Sequence, residues 1–593
     1  MFIERNPKLF SVLLLNYMRT KQVNLKGLSL WSLRHEAQFF QLSPLVRRLA
    51  LCEELGEEEG ACGSLLFHAL LHPPPALSLT EPQLSSSSSS SSKFKHLSSR
   101  NPEPRCYGPT PPPVDAKQQP TVHQHARTSS ADYLKVKRAA GGGRVRTLAA
   151  HHNWIAVGYA HAVVCYRMKD SEGWREAWCS ARLSGLVCRV ALNAKFGTKN
   201  SERMLGIALD NHNIHLTPPQ DSQHPQRDIG VFCLGVAVDA LFFIGNQLVG
   251  LSERGKVGIW HSSSQHWQVQ DTLQPITAYD TAGSALLLAC PNGAIYYIDM
   301  QKFPLRMKDN DLLVTELYRD PASHPITAIS VYLTPKTNAC GNWIEIAYGT
   351  SVGVVRVIAQ HPETVGHGPQ LFQTLTVHQA PVTRVSLTAT HLISVCSEYN
   401  HVRSWSMTRF RGMISTQPGT QAEASFKVLS LESQYHNNKL LNHHQDTNNC
   451  GPFGDQEGEQ LFVQKIVPET NQLFVRLASN GDRVCVVRSV DGSCISSYLV
   501  HECEGSSRMA SRARRYLFTG HTNGTIQMWD LTTALDVYGR RKEERKEGGG
   551  GGGGPSAEEL LELMDGCELT CNSLASTPAT TPHGSHSHLS YIT

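Results

Sequence analysis

The chain has 593 residues, of which 40% are hydrophobic and 18% charged, and its formal net charge is +4 at pH 7. This length allows several domains, or one large repeat domain with tails. Basic residues are nearly balanced by acidic ones, so the composition argues against a nucleic-acid-binding protein. The 46 glycines and 31 prolines indicate many turns and at least one unstructured segment.

The 16 cysteines are scattered, mostly within apolar strand-like runs where a reduced thiol packs as a small core residue. Cys567 and Cys571 lack the second ligand pair of a structural zinc site. No apolar run approaches the roughly 20 residues that span a bilayer. The sequence therefore predicts a cytoplasmic protein with no metal site, no cofactor and no direct membrane insertion.

Residues 1–55 are predicted to form three short helices. Asn6 is a suitable N-cap before Pro7, and amphipathic patterns continue over 29–42 and 43–55. Three short helices make an incomplete domain.

Residues 56–131 have the composition of a disordered linker. They contain an acidic run, a proline triplet and eight consecutive serines, which cannot bury enough apolar surface to offset chain entropy. Residues 539–593, with a seven-glycine run and a short acidic helix predicted at 557–569, are interpreted as a disordered tail.

Between these segments a hairpin pattern recurs. A small-residue-rich strand, a turn containing Gly or Asn, and a β-branched or aromatic strand follow one another. The eight copies span 153–167, 204–217, 247–261, 285–299, 343–358, 391–406, 473–487 and 516–530. Because a lone hairpin cannot bury its own apolar face, this pattern predicts hairpins stacked radially as the blades of a β-propeller.

Trp260, Trp405 and Trp529 end their strands at the same place in the pattern, and Asp530 completes the WD signature. These four residues are predicted to be structural in their blades. The fold class is therefore mainly β: a WD-repeat propeller over 132–538 with seven or eight blades. Two smaller propellers are the minority alternative. The polar stretch 435–459 is interpreted as a long mobile loop.

No motif supports catalysis. Gly349–Gly353 matches the pattern of a nucleophile elbow, but a β-branched strand follows it, so Ser351 is expected in a hairpin turn rather than on a strand-to-helix turn.

Two stretches, 301–321 and 408–419, are candidates for partner binding because they mix apolar and charged residues outside the hairpin pattern. An outer strand followed by the first strand of the next blade is the competing interpretation of the first stretch, and the second stretch raises the same choice. The candidate residues are Phe303, Arg306, Lys308, Asp309, Asp311, Arg409, Phe410 and Arg411.

The residues FIERNPKLFSVLLLNYMRT and LRHEAQFFQLSPLVRRL resemble the second half of a BTB/POZ domain of the potassium channel tetramerisation type. The strand-rich first half of that domain has no counterpart here, so we expect an N-terminally truncated form. In the family that half contributes to homo-oligomerisation and to cullin-3 binding. The resemblance leaves both open for this chain.

The chain combines this partial domain with a linker and a region of divergent repeats, an arrangement that resembles a two-member branch of the potassium channel tetramerisation domain proteins. Runs such as VDALFFIGNQLV and TRFRGMISTQPG are similar to sequences of that branch. The resemblance implies a non-enzymatic oligomeric adaptor that presents propellers to client proteins. It further implies an accessory role that raises the surface level of hyperpolarisation-activated cyclic-nucleotide-gated channels, with localisation at the plasma membrane through that partner. A cullin-3 substrate receptor is the alternative, and a propeller enzyme is a third possibility.

Overall fold

The computed structural model describes residues 6–11, 29–42, 45–46, 66–74, 143–169, 173–194, 203–219, 229–272, 274–300, 314–334, 343–360, 368–407, 409–410, 413–414, 422–430, 449–503 and 513–544. All of them belong to one compact unit, which comprises Met1–Pro74 and Gly142–Thr593.

The first two helices begin where the sequence predicts. Helix α1 (Pro7–Phe10) follows Asn6, whose side chain accepts a hydrogen bond from the backbone N–H two residues on (3.0 Å). Helix α2 (Leu30–Phe39) has Ser29 as its N-cap. Both caps supply acceptors for backbone donors that have no partner within the helix. Most of the third predicted helix, 43–55, lies outside the described residues.

Eight antiparallel sheets follow one another around a ring, and each sheet is one blade. The first four blades each contain four consecutive strands. Blade 1 has β2 (Thr147–His151), β3 (Trp154–Gly158), β4 (Val163–Lys169) and β5 (Gly173–Cys179); blade 2 has β6 (Val187–Ala194), β7 (Arg203–Leu209), β8 (Asn213–Thr217) and β9 (Gly230–Cys233); blade 3 has β10 (Ala240–Ile244), β11 (Gln247–Ser252), β12 (Lys256–His261) and β13 (His266–Asp271); blade 4 has β14 (Ala278–Ala282), β15 (Ala285–Ala289), β16 (Ala294–Asp299) and β17 (Val314–Arg319).

The last four blades are less regular. Blade 5 has β18 (Ile326–Leu333), β19 (Ile344–Thr350), β20 (Val354–Gln360) and β21 (Gln370–Thr376); blade 6 has β22 (Val382–Leu387), β23 (His391–Cys396), β24 (His401–Ser406) and β27 (Ala424–Lys427), with the separate pair β25 (Arg409–Phe410) and β26 (Met413–Ile414); blade 7 has β28 (Leu461–Gln464), β29 (Gln472–Leu477) and β30 (Arg483–Arg488); blade 8 has β31 (Ile495–Cys503), β32 (Arg514–His521), β33 (Ile526–Asp530) and, from far earlier in the chain, β1 (Phe67–Leu71). The mainly β prediction is confirmed, and the blade number is eight.

Polar side chains join the innermost strands of neighbouring blades. Thr277 Oγ1 of blade 4 donates to Ile326 O of blade 5 (2.5 Å). Ser496 Oγ of blade 8 donates to Val145 O, which precedes blade 1 (2.7 Å). Because the last blade contacts the first, the blades form one closed ring, and the alternative of two smaller propellers is wrong.

Blade 8 is completed by a strand from the predicted linker. Strand β1 pairs antiparallel with β33, with Leu71 opposite Ile526. Phe67 is fully buried in the core of blades 7 and 8. The interpretation of all of 56–131 as a disordered linker is therefore wrong for residues 66–74, because their apolar side chains have a sheet edge to cover. Residues 75–131 lie outside the described residues.

Blade 7 has an irregular segment at its innermost position. Phe453 forms an isolated antiparallel bridge with Leu461 of β28, and the Val463 N–H donates to Cys450 O (2.9 Å). The backbone at 450–453 thus runs beside β28 on the channel side, with a cis Gly451–Pro452 peptide bond. Residues 449–459 are therefore part of the propeller rather than of a mobile loop, whereas 431–448 lie outside the described residues.

Helix α3 (Leu531–Glu544) follows the last blade without a break. Its Tyr538 hydroxyl donates to the Asp482 carboxylate in the turn between β29 and β30, and Leu535 and Tyr538 pack on the core of blades 7 and 8. The predicted boundary at 538 is therefore too early. The acidic helix predicted at 557–569 lies outside the described residues.

Candidate partner-binding surfaces

The ring encloses a central channel with a volume of about 1030 Å³. Its wall is formed by the innermost strands of blades 1 to 6, by the end of β11 in blade 3 and by the irregular segment of blade 7. Among the described residues of this wall there is no histidine or cysteine, the side chains that most often serve as catalytic bases or nucleophiles.

Asp280 shows how the acidic side chains of the channel are used. Its carboxylate accepts hydrogen bonds from the backbone N–H of Val331 in the next blade (2.7 Å) and of Thr281 (2.8 Å). Burial raises the pKa of Asp280 to about 6, although these hydrogen bonds act in the opposite sense. The carboxylate thus joins blades 4 and 5.

Asp239 has a similar role at the start of blade 3. Its carboxylate accepts from the Glu253 N–H (2.7 Å) and from Ser252 Oγ (3.2 Å), while Arg189 Nε of blade 2 donates to its backbone carbonyl (2.9 Å). Burial and the Asp239 carboxylate raise the pKa of Glu253. These acids are used in contacts within and between blades, and they do not form a nucleophile–base pair with a histidine.

One mouth of the channel is partly occupied by the loop 455–460. Gln456 Nε2 donates to Val331 O of blade 5 (2.7 Å), and Arg515 Nη1 of blade 8 donates to Glu459 O (2.6 Å). The loop therefore reaches from blade 7 to blades on both sides. Part of the surface at this end of the ring is therefore covered by the chain itself.

The opposite end of the ring carries exposed apolar side chains on two neighbouring blades. Val352, in the turn between β19 and β20, is 47% exposed, and Tyr399, between β23 and β24, is 48% exposed. The N–H of His378, in the loop between β21 and β22, donates to Gly353 O (3.2 Å) and joins that loop to the turn between β19 and β20. The Lys427 ammonium lies 4.7 Å from the centroid of the Tyr399 ring. We call Val352, His378, Tyr399 and Lys427 the blade 5–6 rim.

In blade 8 the signature tryptophan begins a chain of buried polar contacts. Trp529 Nε1 donates to Thr519 Oγ1 (3.1 Å), which lies 2.9 Å from His521 Nε2. His521 Nδ1 lies 2.9 Å from Ser493 Oγ, and that hydroxyl donates to Asp491 Oδ1 (2.5 Å). The chain of contacts attaches the loop before blade 8 to the second and third strands of that blade.

Burial lowers the pKa of His521 to about 4, although the nearby Asp491 carboxylate acts in the opposite sense. Burial alone would raise the pKa of Asp491, but hydrogen bonds from Ser493, Ser489 and Asn523 outweigh it and hold that pKa well below its usual range. The network thus contains a neutral imidazole and a charged carboxylate at pH 7.

The predicted partner-binding residues lie mostly outside the described residues: Phe303, Arg306, Lys308, Asp309, Asp311 and Arg411. Arg409 and Phe410 form β25, which pairs with β26. The structure does not test their predicted role, which stays a prediction.

The predicted structural residues lie in the third strands of their blades. Trp260, Trp405 and Trp529 are 3%, 2% and 1% exposed. Asp530 accepts from the Thr533 N–H (3.0 Å) at the start of α3 and pairs with Arg514 (3.0 Å). It therefore caps a helix that the sequence analysis did not predict.

Two protein-family models match the chain. The model described as the SHKBP1/KCTD3 C-terminal beta-propeller matches residues 144–567, and the BTB/POZ domain model matches residues 1–50. No helix among the described residues is long and apolar enough to cross a membrane.

The human BTB/POZ domain-containing protein KCTD3 is 53% identical over 99% of this chain and 69% of its own length. Rat SH3KBP1-binding protein 1 is 48% identical over 98% of this chain and 80% of its own length. Among solved structures, Saccharomyces cerevisiae Sqt1 has 10% identity and a TM-score of 0.42, covering 65% of this chain and 96% of Sqt1, which is too weak a likeness to inform function. On the family model and the two relatives, the chain belongs to the SHKBP1/KCTD3 family of BTB/POZ adaptor proteins with a C-terminal β-propeller.

Proposed function

We propose that this chain is a non-enzymatic scaffold that binds client proteins on the blade 5–6 rim of its propeller. The observation that carries the proposal is the contrast between the two ends of the ring. Loop 455–460 covers part of one end, whereas Val352 and Tyr399 expose apolar surface at the other. Exposed aromatic and aliphatic side chains on a rigid element are typical of protein-binding surfaces.

The charge beside these side chains favours a particular client chemistry. The Lys427 ammonium lies against the Tyr399 ring, so an apolar segment with an acidic group placed to meet Lys427 fits the rim best. Because the turns belong to a closed ring, little conformational entropy is lost on binding.

The client we propose is a hyperpolarisation-activated cyclic-nucleotide-gated channel, whose surface level the scaffold would raise from the cytoplasmic side. The family resemblance supports this choice. In the complete family members, oligomerisation is expected to add avidity towards a multimeric channel without new contacts. The name of the rat relative describes binding to SH3KBP1, so that protein is the second client to measure.

The test is quantitative co-purification of channel subunits from excitable cells with the full chain as bait. Val352→Asp with Tyr399→Asp should reduce channel recovery at least about tenfold, because two charges replace apolar contacts. The control is Val269→Asp, which changes an exposed apolar residue on the outer strand of blade 3. Equal loss in both variants, or no recovery by the parent chain, would contradict the proposal.

The family resemblance also supports a second function, substrate receptor of a cullin-3 ubiquitin ligase. It predicts recovery of cullin-3 with the bait and slower client turnover when the chain is depleted. If cullin-3 is recovered and the client is degraded faster when the chain is present than when it is depleted, the ubiquitin-ligase function would replace the accessory-scaffold proposal.

A further inference from the structure

Blade 6 places three metal-binding side chains together at the same end of the ring. A ring nitrogen of His378, the sulfur of Cys396 and a ring nitrogen of His401 all lie within 4.8 Å of one another. Among the described residues this is the one group of three or more His, Cys, Asp or Glu side chains with that spacing. His378 and Cys396 are buried, and His401 is half-buried.

The backbone explains why Cys396 and His401 meet. Tyr399 and Asn400 have φ values of +55° and +47°, and the His401 N–H donates to Glu398 O (3.0 Å). Positive φ at both central residues defines a type I′ turn, which makes a tight hairpin. Strands β23 and β24 pair Val395 with Val402. The next residues outward, Cys396 and His401, therefore lie opposite each other.

His378 comes from a different part of the chain, the loop between β21 and β22. Its Nε2 lies 2.8 Å from Ser394 Oγ, and His401 Nε2 lies 2.8 Å from Ser425 Oγ. His378 Nδ1 is buried and has no hydrogen-bond partner among the described residues. Each serine can thus hold one ring nitrogen while the other binds a metal, the arrangement typical of metal-ligating histidines.

We infer that His378, Cys396 and His401 form a Zn²⁺ site in blade 6, with water as the fourth ligand. One thiolate and two imidazoles suit zinc, whereas calcium and magnesium prefer oxygen ligands. Tetrahedral zinc places its ligand atoms roughly 3.3–3.7 Å apart, so binding requires the widest of the present distances to shorten by at most about 1 Å. The Cys396 thiol would lose its proton to solvent.

The surrounding charges limit the affinity. Arg403 and Lys427 oppose a cation near His401, and Glu398 favours it. Zinc would connect the loop before blade 6 to the hairpin that carries Tyr399. The ion would therefore fix the geometry of the blade 5–6 rim, without being needed for the fold.

The test uses the full chain, stripped with a chelator and titrated with Co²⁺ as a spectroscopic substitute for zinc. We expect one equivalent of Co²⁺ to produce a thiolate-to-cobalt charge-transfer band that one equivalent of Zn²⁺ removes. Cys396→Ser should abolish the band. The control is Cys290→Ser, which changes a buried cysteine at the matching end of the second strand in blade 4.

His378→Gln and His401→Gln should each weaken Co²⁺ binding at least about tenfold. These two variants also keep the test valid if the serine variant does not fold, which circular dichroism will show. A band that persists in Cys396→Ser, or a parent chain without any band, would overturn the inference. Cobalt bound elsewhere through histidines alone lacks this band and counts against the site.

Discussion

The ring of Phe67 packs edge-on against the ring of Trp529, with 5.3 Å between their centroids. Both side chains are almost completely buried. Phe67 precedes the propeller in the chain and Trp529 lies in its last blade, so this pair holds the outer strand of blade 8 in place. Completion of blade 8 therefore depends on a segment that lies outside the repeat region.

Phe67→Ala should lower the free energy of unfolding by about 3–5 kcal/mol, because it leaves a cavity against Trp529. Chemical denaturation followed by tryptophan fluorescence measures the change. Trp31→Ala is the control, since Trp31 is 63% exposed and its loss should change stability little. A change below about 1 kcal/mol for Phe67→Ala would show that the packing of β1 adds little to the stability of blade 8.

Asp491→Asn should destabilise the propeller by about 2–4 kcal/mol, because the carboxylate accepts hydrogen bonds from several buried or half-buried donors. The matched control is Asp271→Asn. The Asp271 side chain is 75% exposed and pairs with Lys256 at 3.5 Å, so its removal should cost less than about 1 kcal/mol. Equal effects in a urea titration would contradict a structural role for the network.

Stability should depend on pH through His521. Its pKa is about 4 in the folded chain against 6.5 in the unfolded chain, so the unfolded state takes up a proton first as the pH falls. The stabilisation is complete above pH 6.5 and is lost as the pH falls towards 4, with about 2 kcal/mol lost by pH 5. Asp280 has a raised pKa of about 6 in the folded chain, so its contribution to stability increases as the pH falls and opposes that of His521.

Comparing His521→Gln with the parent chain isolates this effect. Urea midpoints at pH 7.5 and 5 should differ less in the variant than in the parent. His261→Gln, which changes a ring hydrogen-bonded to Ser263 on the surface, should keep the parent's pH dependence. Identical pH dependence in His521→Gln and parent would contradict the assignment.

Blade 5 contains a buried ion pair between Asp320 and Arg356, to which the Tyr348 hydroxyl also donates (2.9 Å). Asp320→Ala should cost about 3–5 kcal/mol, because it leaves the guanidinium buried without its partner. The double variant Asp320→Ala with Arg356→Met should be more stable than the single variant. If the loss in the double variant equals the sum of the losses in Asp320→Ala and Arg356→Met alone, the two side chains do not interact.

The sequence alone determined the blade interiors. Hairpins with a small-residue strand, a glycine turn and a β-branched strand are local signals, and Gly255, Gly353 and Gly524 each adopt φ of +84° in the turns where the pattern placed them. Burial of the three signature tryptophans follows from the same alternation of inward and outward side chains. The helix starts at Asn6 and Ser29 could also be predicted from local sequence, because an N-cap bonds only to the first turn of the helix that follows it.

Three features of the structure depend on contacts between residues that are far apart in the chain. Residues 66–74 are apolar but sit in a polar region, and only the free edge of β33 makes them a strand. Residues 449–459 have no periodicity, and neighbouring blades supply their hydrogen bonds. Likewise, His378 is separated in the chain from Cys396 and His401, so no spacing rule brings them together. Contacts between distant segments depend on how the ring closes, which no local pattern encodes.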